Sequence, residues 1–107
     1  MAQPARRRPL MPVSIVTVEI YLPEARSLKD KRRIVKSLKD KIHARYRVSI
    51  AETRNHDLRQ LSQLGIATVA PAAGHLEDLV ASIRAIFDGR PDIVVASWHE
   101  QVVELEK

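Results

Sequence analysis

Residues 13 to 22, VSIVTVEIYL, follow a period of two: Val16, Val18, Ile20 and Leu22 point one way, Ile15, Thr17, Glu19 and Tyr21 the other. Period two with β-branched residues predicts a half-buried strand. Pro23 ends it, and the period changes at once. Leu28, Val35, Leu38 and Ile42 recur at helical spacing, with Ile34 on their shoulder. The run SLKD opens this segment as a capping box, Ser27 covering free backbone amides and Asp30 reaching back. The predicted helix runs to about Arg45.

A second strand is expected over residues 47–53 (RVSIAET), then a polar connection over 54–63 centred on NHD, then a third strand over 64–71. A second helix fits residues 74–88, with Leu76, Leu79, Val80, Ile83 and Phe87 as its apolar stripe. Gly89 and Pro91 stop it. A long last strand covers 93–105. The order β-α-β-β-α-β contains two interleaved right-handed crossovers, which predicts an α+β ferredoxin-like split βαβ sandwich. Both helices then cover one face of a four-stranded antiparallel sheet, with the first and third strands central. The other face is left open, and Ile15, Tyr21 and Trp98 or Val95 are expected on it.

The chain has 107 residues, enough for one domain with one core, assigned here to 12–107. Aromatics are only 4%, so the core is aliphatic. The first residues, MAQPARRRPLMP, lack the apolar stretch of a secretory signal. Residues 1–11 read as a disordered basic arm or as the product of an upstream start codon, with Arg6, Arg7 and Arg8 as a supplementary phosphate contact in the sharper reading. No apolar run approaches the ~20 residues of a membrane span, so the expectation is a cytoplasmic protein with no membrane contact.

Charge changes the picture more than composition does. Ten of the eighteen Lys and Arg residues lie in 26–47 against two acids, Asp30 and Asp40, a net +8 (10 − 2). Residues 48–107 hold five bases and nine acids, a net −4 (5 − 9). Concentrated positive potential attracts phosphate or acidic surfaces. Lys29, Arg32, Arg33, Lys36 and Lys39 stand away from the helix's apolar stripe and are the candidate RNA- or anion-binding residues. A solvated face is the competing reading. Against it, like charges at i, i+3 and i+4 repel by about a few tenths of a kcal/mol per pair, and a merely soluble helix tends to mix signs.

Lys31 falls among the apolar positions of this helix. Either its stem packs at the end of the core and the amine snorkels to water, or it pairs with Glu24, Glu19 or Glu52. Snorkelling is the preferred reading, and under it Lys31→Met is nearly neutral.

Other chemistry is thin. With no cysteine, thiolate metal sites, disulfides and cysteine nucleophiles are excluded. The four histidines are scattered, and no metal site or cofactor is expected. The three glycines match no phosphate loop. Asn55, His56 and Asp57 read as turn residues before they read as an acid–base pair. No pair of rings stands on the central strands to stack bases, so any nucleic-acid contact falls to the helix side. Arg26 with His56 would be the centre of a small hydrolase acting on a phosphorylated or anionic substrate such as an acyl phosphate, but the first loop lacks the glycine of acyl-phosphate hydrolases of this topology. No catalytic residue is assigned, and the expectation is a non-enzymatic protein.

SLKDKRRIVKSL (27–38), VSIAE (48–52) and NHDL (55–58) resemble the YlxP-like family, small bacterial proteins classed as a domain of unknown function. The resemblance extends from residue 13 to the C-terminus. It implies a ferredoxin-like fold. Because members are typically encoded beside translation initiation factor two and ribosome-binding factor A, it also implies a link to translation or ribosome assembly. The family motif falls here on Ser27, Leu28, Lys29, Asp30, Lys31, Arg32 and Arg33, with His56, Asp57 and Leu58; a Trp common in relatives after the D-L pair is Arg59 in this chain. The expected partner is ribosomal RNA or the ribosome. The alternative is a homodimer, formed through the open sheet face or the C-terminal edge strand, that docks an acidic protein.

Overall fold

The structure, a computed structural model, describes residues 9–106, and side-chain surroundings for 11–104. The elements are β1 (Pro9–Tyr21), α1 (Leu28–His43), β2 (Ser49–Arg54), β3 (Leu61–Val69), α2 (Ala73–Asp88) and β4 (Val94–Glu106). The strands form one antiparallel sheet in the order β2-β3-β1-β4. This is the split βαβ sandwich that the order of elements predicts, with β1 and β3 central.

Alternation puts one row of each strand into the core. Val18, Ile20, Leu22 and Leu64 are fully buried, together with Leu38 and Ile42 of α1 and Leu76, Ile83 and Phe87 of α2. Each such aliphatic side chain contributes about 1.5–3 kcal/mol of transfer free energy. Ile86, absent from the expected α2 stripe, is buried as well. Helix and sheet boundaries move by one to four residues from expectation. The largest shifts are at β1, which begins at Pro9 where its partner β4 is long enough to pair with it, and at β3, which begins at Leu61. The expected disordered arm therefore overlaps a strand over Pro9–Met11, and residues 1–8 lie outside the described residues.

Trp98 and Val95 need a correction. Both were expected as candidates for the open face, and both lie on the helix side. Trp98 stands opposite Val18 and Val95 opposite Ile20, with a register shift between them. Residues three apart on a regular strand face opposite ways. The extra residue at the bulge, Ala96, resets the alternation so that both turn inward. The Trp98 ring meets Phe87 edge to face at 5.4 Å, and the Arg84 guanidinium covers it at 4.9 Å.

Candidate nucleic-acid interface

α1 starts where the sequence says it should. The Asp30 backbone N–H donates to Ser27 Oγ at 3.0 Å, and the Asp30 carboxylate accepts the Arg26 backbone N–H at 3.0 Å. One amide left open by the first turn is thereby satisfied, and the residue before the cap is tied to the helix as well. The helix buries Lys31, Val35, Leu38 and Ile42. Its two flanks meet different neighbours. Ser37 accepts from Arg90 Nη1 at 3.2 Å on the α2 side, and Lys41 lines a groove there with Ser82 and Ala85. Lys41 therefore lies apart from the candidate stripe.

The opposite flank carries the candidate residues. Arg32, Lys36 and Lys39, at i, i+4 and i+7, line a groove of about 300 Å³ between α1 and the β2 edge, beside Val35 and Glu52. Lys29 and Arg33 continue the arc outward. Lys29, Arg32, Arg33 and Lys36 are exposed, whereas Lys39 is half-buried on the flank. Two of the five have internal partners: Arg33 Nη2 lies 3.0 Å from Asp30 Oδ1, and Lys36 Nζ 2.6 Å from Asp40 Oδ2. The hydrogen bond from Lys36 holds the Asp40 carboxyl below its ordinary range. Both pairs are solvent-exposed, where such bridges add little stability and are readily exchanged for another anion. Among the described residues, Lys29, Arg32 and Lys39 form no salt bridge.

The neighbouring helix has the reverse sign. α2 carries Glu77, Asp78 and Asp88 against Arg84, and Arg84 is itself bonded to Asp88 at 3.2 Å. The helix layer is thus positive on the α1 side and negative on the α2 side. A polyanion approaching this layer is steered to α1 and the β2 edge.

Lys31 does not snorkel. It is 1% exposed, and its ammonium lies 2.7 Å from Glu52 Oε2. It also donates to the carbonyl oxygens of Asn55, of Leu58 at 2.6 Å and of Leu61 at 2.9 Å. Four acceptors surround three N–H groups, so one hydrogen is shared. Ser62 Oγ–H donates to the same Glu52 oxygen at 2.6 Å. Burial pushes the Glu52 carboxyl up, but the hydrogen bonds from Lys31 and Ser62 and the lysine charge outweigh it, and the group sits below its ordinary range. The snorkelling expectation fails because the first turn of α1 lies over the β2–β3 connection, not over water. The acceptors that hold the ammonium are backbone carbonyls, which residue identity does not advertise.

That connection places His56 and Asp57 in a turn. Asn55 adopts a positive φ of 67°, the Leu58 N–H bonds the Asn55 carbonyl at 3.0 Å, and His56 Nε2 contacts the Glu52 carbonyl at 3.0 Å. This is turn chemistry. Arg59 Nη1 lies 3.4 Å from the Arg26 carbonyl, bringing two exposed arginines together at the N-terminal end of the basic arc. Sequence reasoning did not pair them, since they are thirty-three residues apart. Among the described residues no cluster of three or more His, Cys, Asp or Glu could hold a metal ion. No helix of the described residues is long and apolar enough to cross a membrane.

A family model described as a protein of unknown function (DUF503) matches residues 13–100. A Bacillus subtilis (strain 168) protein, uncharacterized protein YlxP, is 28% identical over 81 residues, covering 76% of this chain and 88% of the relative. A crystallised protein of Shewanella oneidensis aligns with 94% of this chain and 98% of its own at 16% identity, with a TM-score of 0.45.

Proposed function

Since this chain belongs to the DUF503 family of proteins of unknown function, its role has to be read from its own surface, and we propose that it is a non-enzymatic RNA-contacting accessory protein of the translation or ribosome-assembly machinery. The observation that carries this reading is the exposed arc of Lys29, Arg32, Arg33 and Lys36, with Lys39 on its flank, bordering the β2 groove with only two weak internal ion pairs. A straight row of cations on a helix follows the phosphate backbone of structured RNA and neutralises it without reading bases. Among the described residues Tyr21 is the only Phe, Tyr or Trp on the open sheet face, with His99 the other ring there, and so sparse a platform favours phosphate contact over stacking.

The test is filter binding to ribosomal RNA across a salt series. Neutralising about five phosphates predicts a loss of roughly two to three powers of ten in affinity between 50 and 200 mM salt. Joint reversal of Arg32, Arg33 and Lys36 to Glu should abolish binding. Salt-independent binding, or binding that survives the reversal, sinks the reading. The same arc fits an acidic protein. Capture from nuclease-treated lysate separates the two readings, because an RNA-bridged complex disappears and a protein complex stays.

A further inference from the structure

We propose, resting on that RNA-contacting role, that Glu52 Oε1 accepts a hydrogen bond from a ribose 2′-hydroxyl of the strand bound in the groove between α1 and β2, and so makes the basic arc selective for RNA over DNA. The two oxygens of this carboxylate have different surroundings. Oε2 is occupied: the Lys31 ammonium lies 2.7 Å away, and Ser62 Oγ–H donates to it at 2.6 Å. Among the described residues nothing donates to Oε1. No described side-chain nitrogen or oxygen is buried without a partner, so Oε1 is open to solvent. Glu52 lines the groove of about 300 Å³ with Arg32, Val35, Lys36 and Lys39. Its side chain is 20% exposed against 76% for Lys36, which puts the carboxylate at the floor and that cation at the rim.

A carboxylate on the floor of a groove for phosphate would repel its ligand if its charge were free. Here the charge is cancelled by Lys31, which is sealed against it. What remains is an acceptor. Despite partial burial, hydrogen bonds from Lys31 and Ser62 hold the carboxyl below its ordinary range, so it is ionised at neutral pH. The acceptor is also fixed in place, because the carbonyls of Asn55, Leu58 and Leu61 anchor the lysine that holds it. It needs no rearrangement to meet a donor.

The backbone of RNA offers one such donor. Phosphate and ring oxygens only accept, whereas the 2′-hydroxyl donates as well, and DNA lacks it. Each ribose lies between two phosphates of its own strand. Arg32 and Lys36 stand four residues apart, about 6 Å along α1. With successive phosphates on these two cations, the ribose between them faces the floor, and Val35 offers its ring an apolar wall. A deoxyribose in the same place strips water from Oε1 and gives nothing back.

The test changes the ligand first, so that it does not depend on the stability of a Glu52 variant. Filter binding at about 50 mM salt compares a ribosomal RNA hairpin with the same hairpin carrying 2′-fluorine on every ribose, which keeps the sugar's shape but has no hydroxyl to donate. Losing a hydrogen bond to a charged acceptor should weaken binding of the fluorinated hairpin about tenfold or more. In Glu52→Gln, Lys31 holds the amide oxygen and an NH2 group replaces Oε1. The ratio of the two affinities should then shrink several-fold, because a neutral partner bonds more weakly. A purely structural role for Glu52 would lower both affinities together and leave their ratio alone. Equal binding of the two hairpins by the parent, with the salt dependence intact, overturns the assignment of Glu52 and leaves the RNA-contacting role standing. A preference that Glu52→Gln does not change also overturns it, since another group then senses the hydroxyl. If neither hairpin binds, the RNA-contacting role itself falls, and the sugar contact with it.

Discussion

Lys31 Nζ and Glu52 Oε2 lie 2.7 Å apart in an ion pair that ties α1 to β2, with the lysine sealed from solvent at 1% exposure. Three carbonyls of residues 55–61 share the same ammonium. One side chain therefore fixes the start of α1, the end of β2 and the β2–β3 connection together. Removing it strands a carboxylate and three carbonyl oxygens at once.

Lys31→Met keeps the stem and deletes the charge. Breaking a buried pair from one side costs about 3–5 kcal/mol. In a domain of this size each kcal/mol moves Tm by about 4–8 °C, so a fall of more than ~10 °C is expected by differential scanning calorimetry. A change of a degree or two would mean that packing of the stem is what matters at this position.

The Glu52 carboxyl sits below its ordinary value of 4.5 in the folded protein. Its contribution to stability is therefore present above that value and is lost as pH falls through the lower folded one. Glu52→Gln should be less stable than the parent at pH 7, and the difference should shrink below about pH 4. Urea unfolding between pH 3 and 7 reads this directly. Parallel pH profiles for the two proteins would remove Glu52 from the acid limb.

Asp40 is an internal competitor for Lys36, held at 2.6 Å on the exposed face of α1. Asp40→Asn should tighten RNA binding several-fold at low salt and steepen the salt dependence by up to about one phosphate's worth. Its melting temperature should hardly move, because the pair is exposed. Unchanged affinity would show that Lys36 makes no phosphate contact.

Trp98 is the chain's one tryptophan, wedged between Phe87 and Arg84 beneath α2 and remote from the basic arc. Its emission should stay constant when RNA binds at α1 and shift to the red only on unfolding. A binding-induced shift would relocate the contact to the α2–β4 side.

Much of the architecture could be read in advance. The period-two run at β1, the apolar runs of the later strands and the helical repeats at Leu28–Ile42 and Leu76–Phe87 are local signals, and two crossovers in the order β-α-β-β-α-β leave few ways to pack. The candidate site was legible to the same extent. The helical repeat that marks the buried face of α1 also marks, by exclusion, where Lys29, Arg32, Arg33 and Lys36 must point. Lys39 lies at the margin of that arc, where residue spacing alone does not separate a flank from an exposed ridge.

The failures share a cause. The fate of Trp98 and Val95 turned on one extra residue in β4, and a bulge is set by pairing with β1, not by the composition of β4. Lys31 was misjudged because its partners are a carboxylate twenty-one residues away and three main-chain oxygens of a connection folded beneath it. By itself the sequence determined the order of elements, the buried rows and the lopsided charge, all of which depend on neighbours along the chain. Only the tertiary structure decided which cations are occupied, which are left for an external anion, and how a buried ammonium is satisfied, because hydrogen bonds and ion pairs act over about 3 Å and recognise whatever the fold brings there.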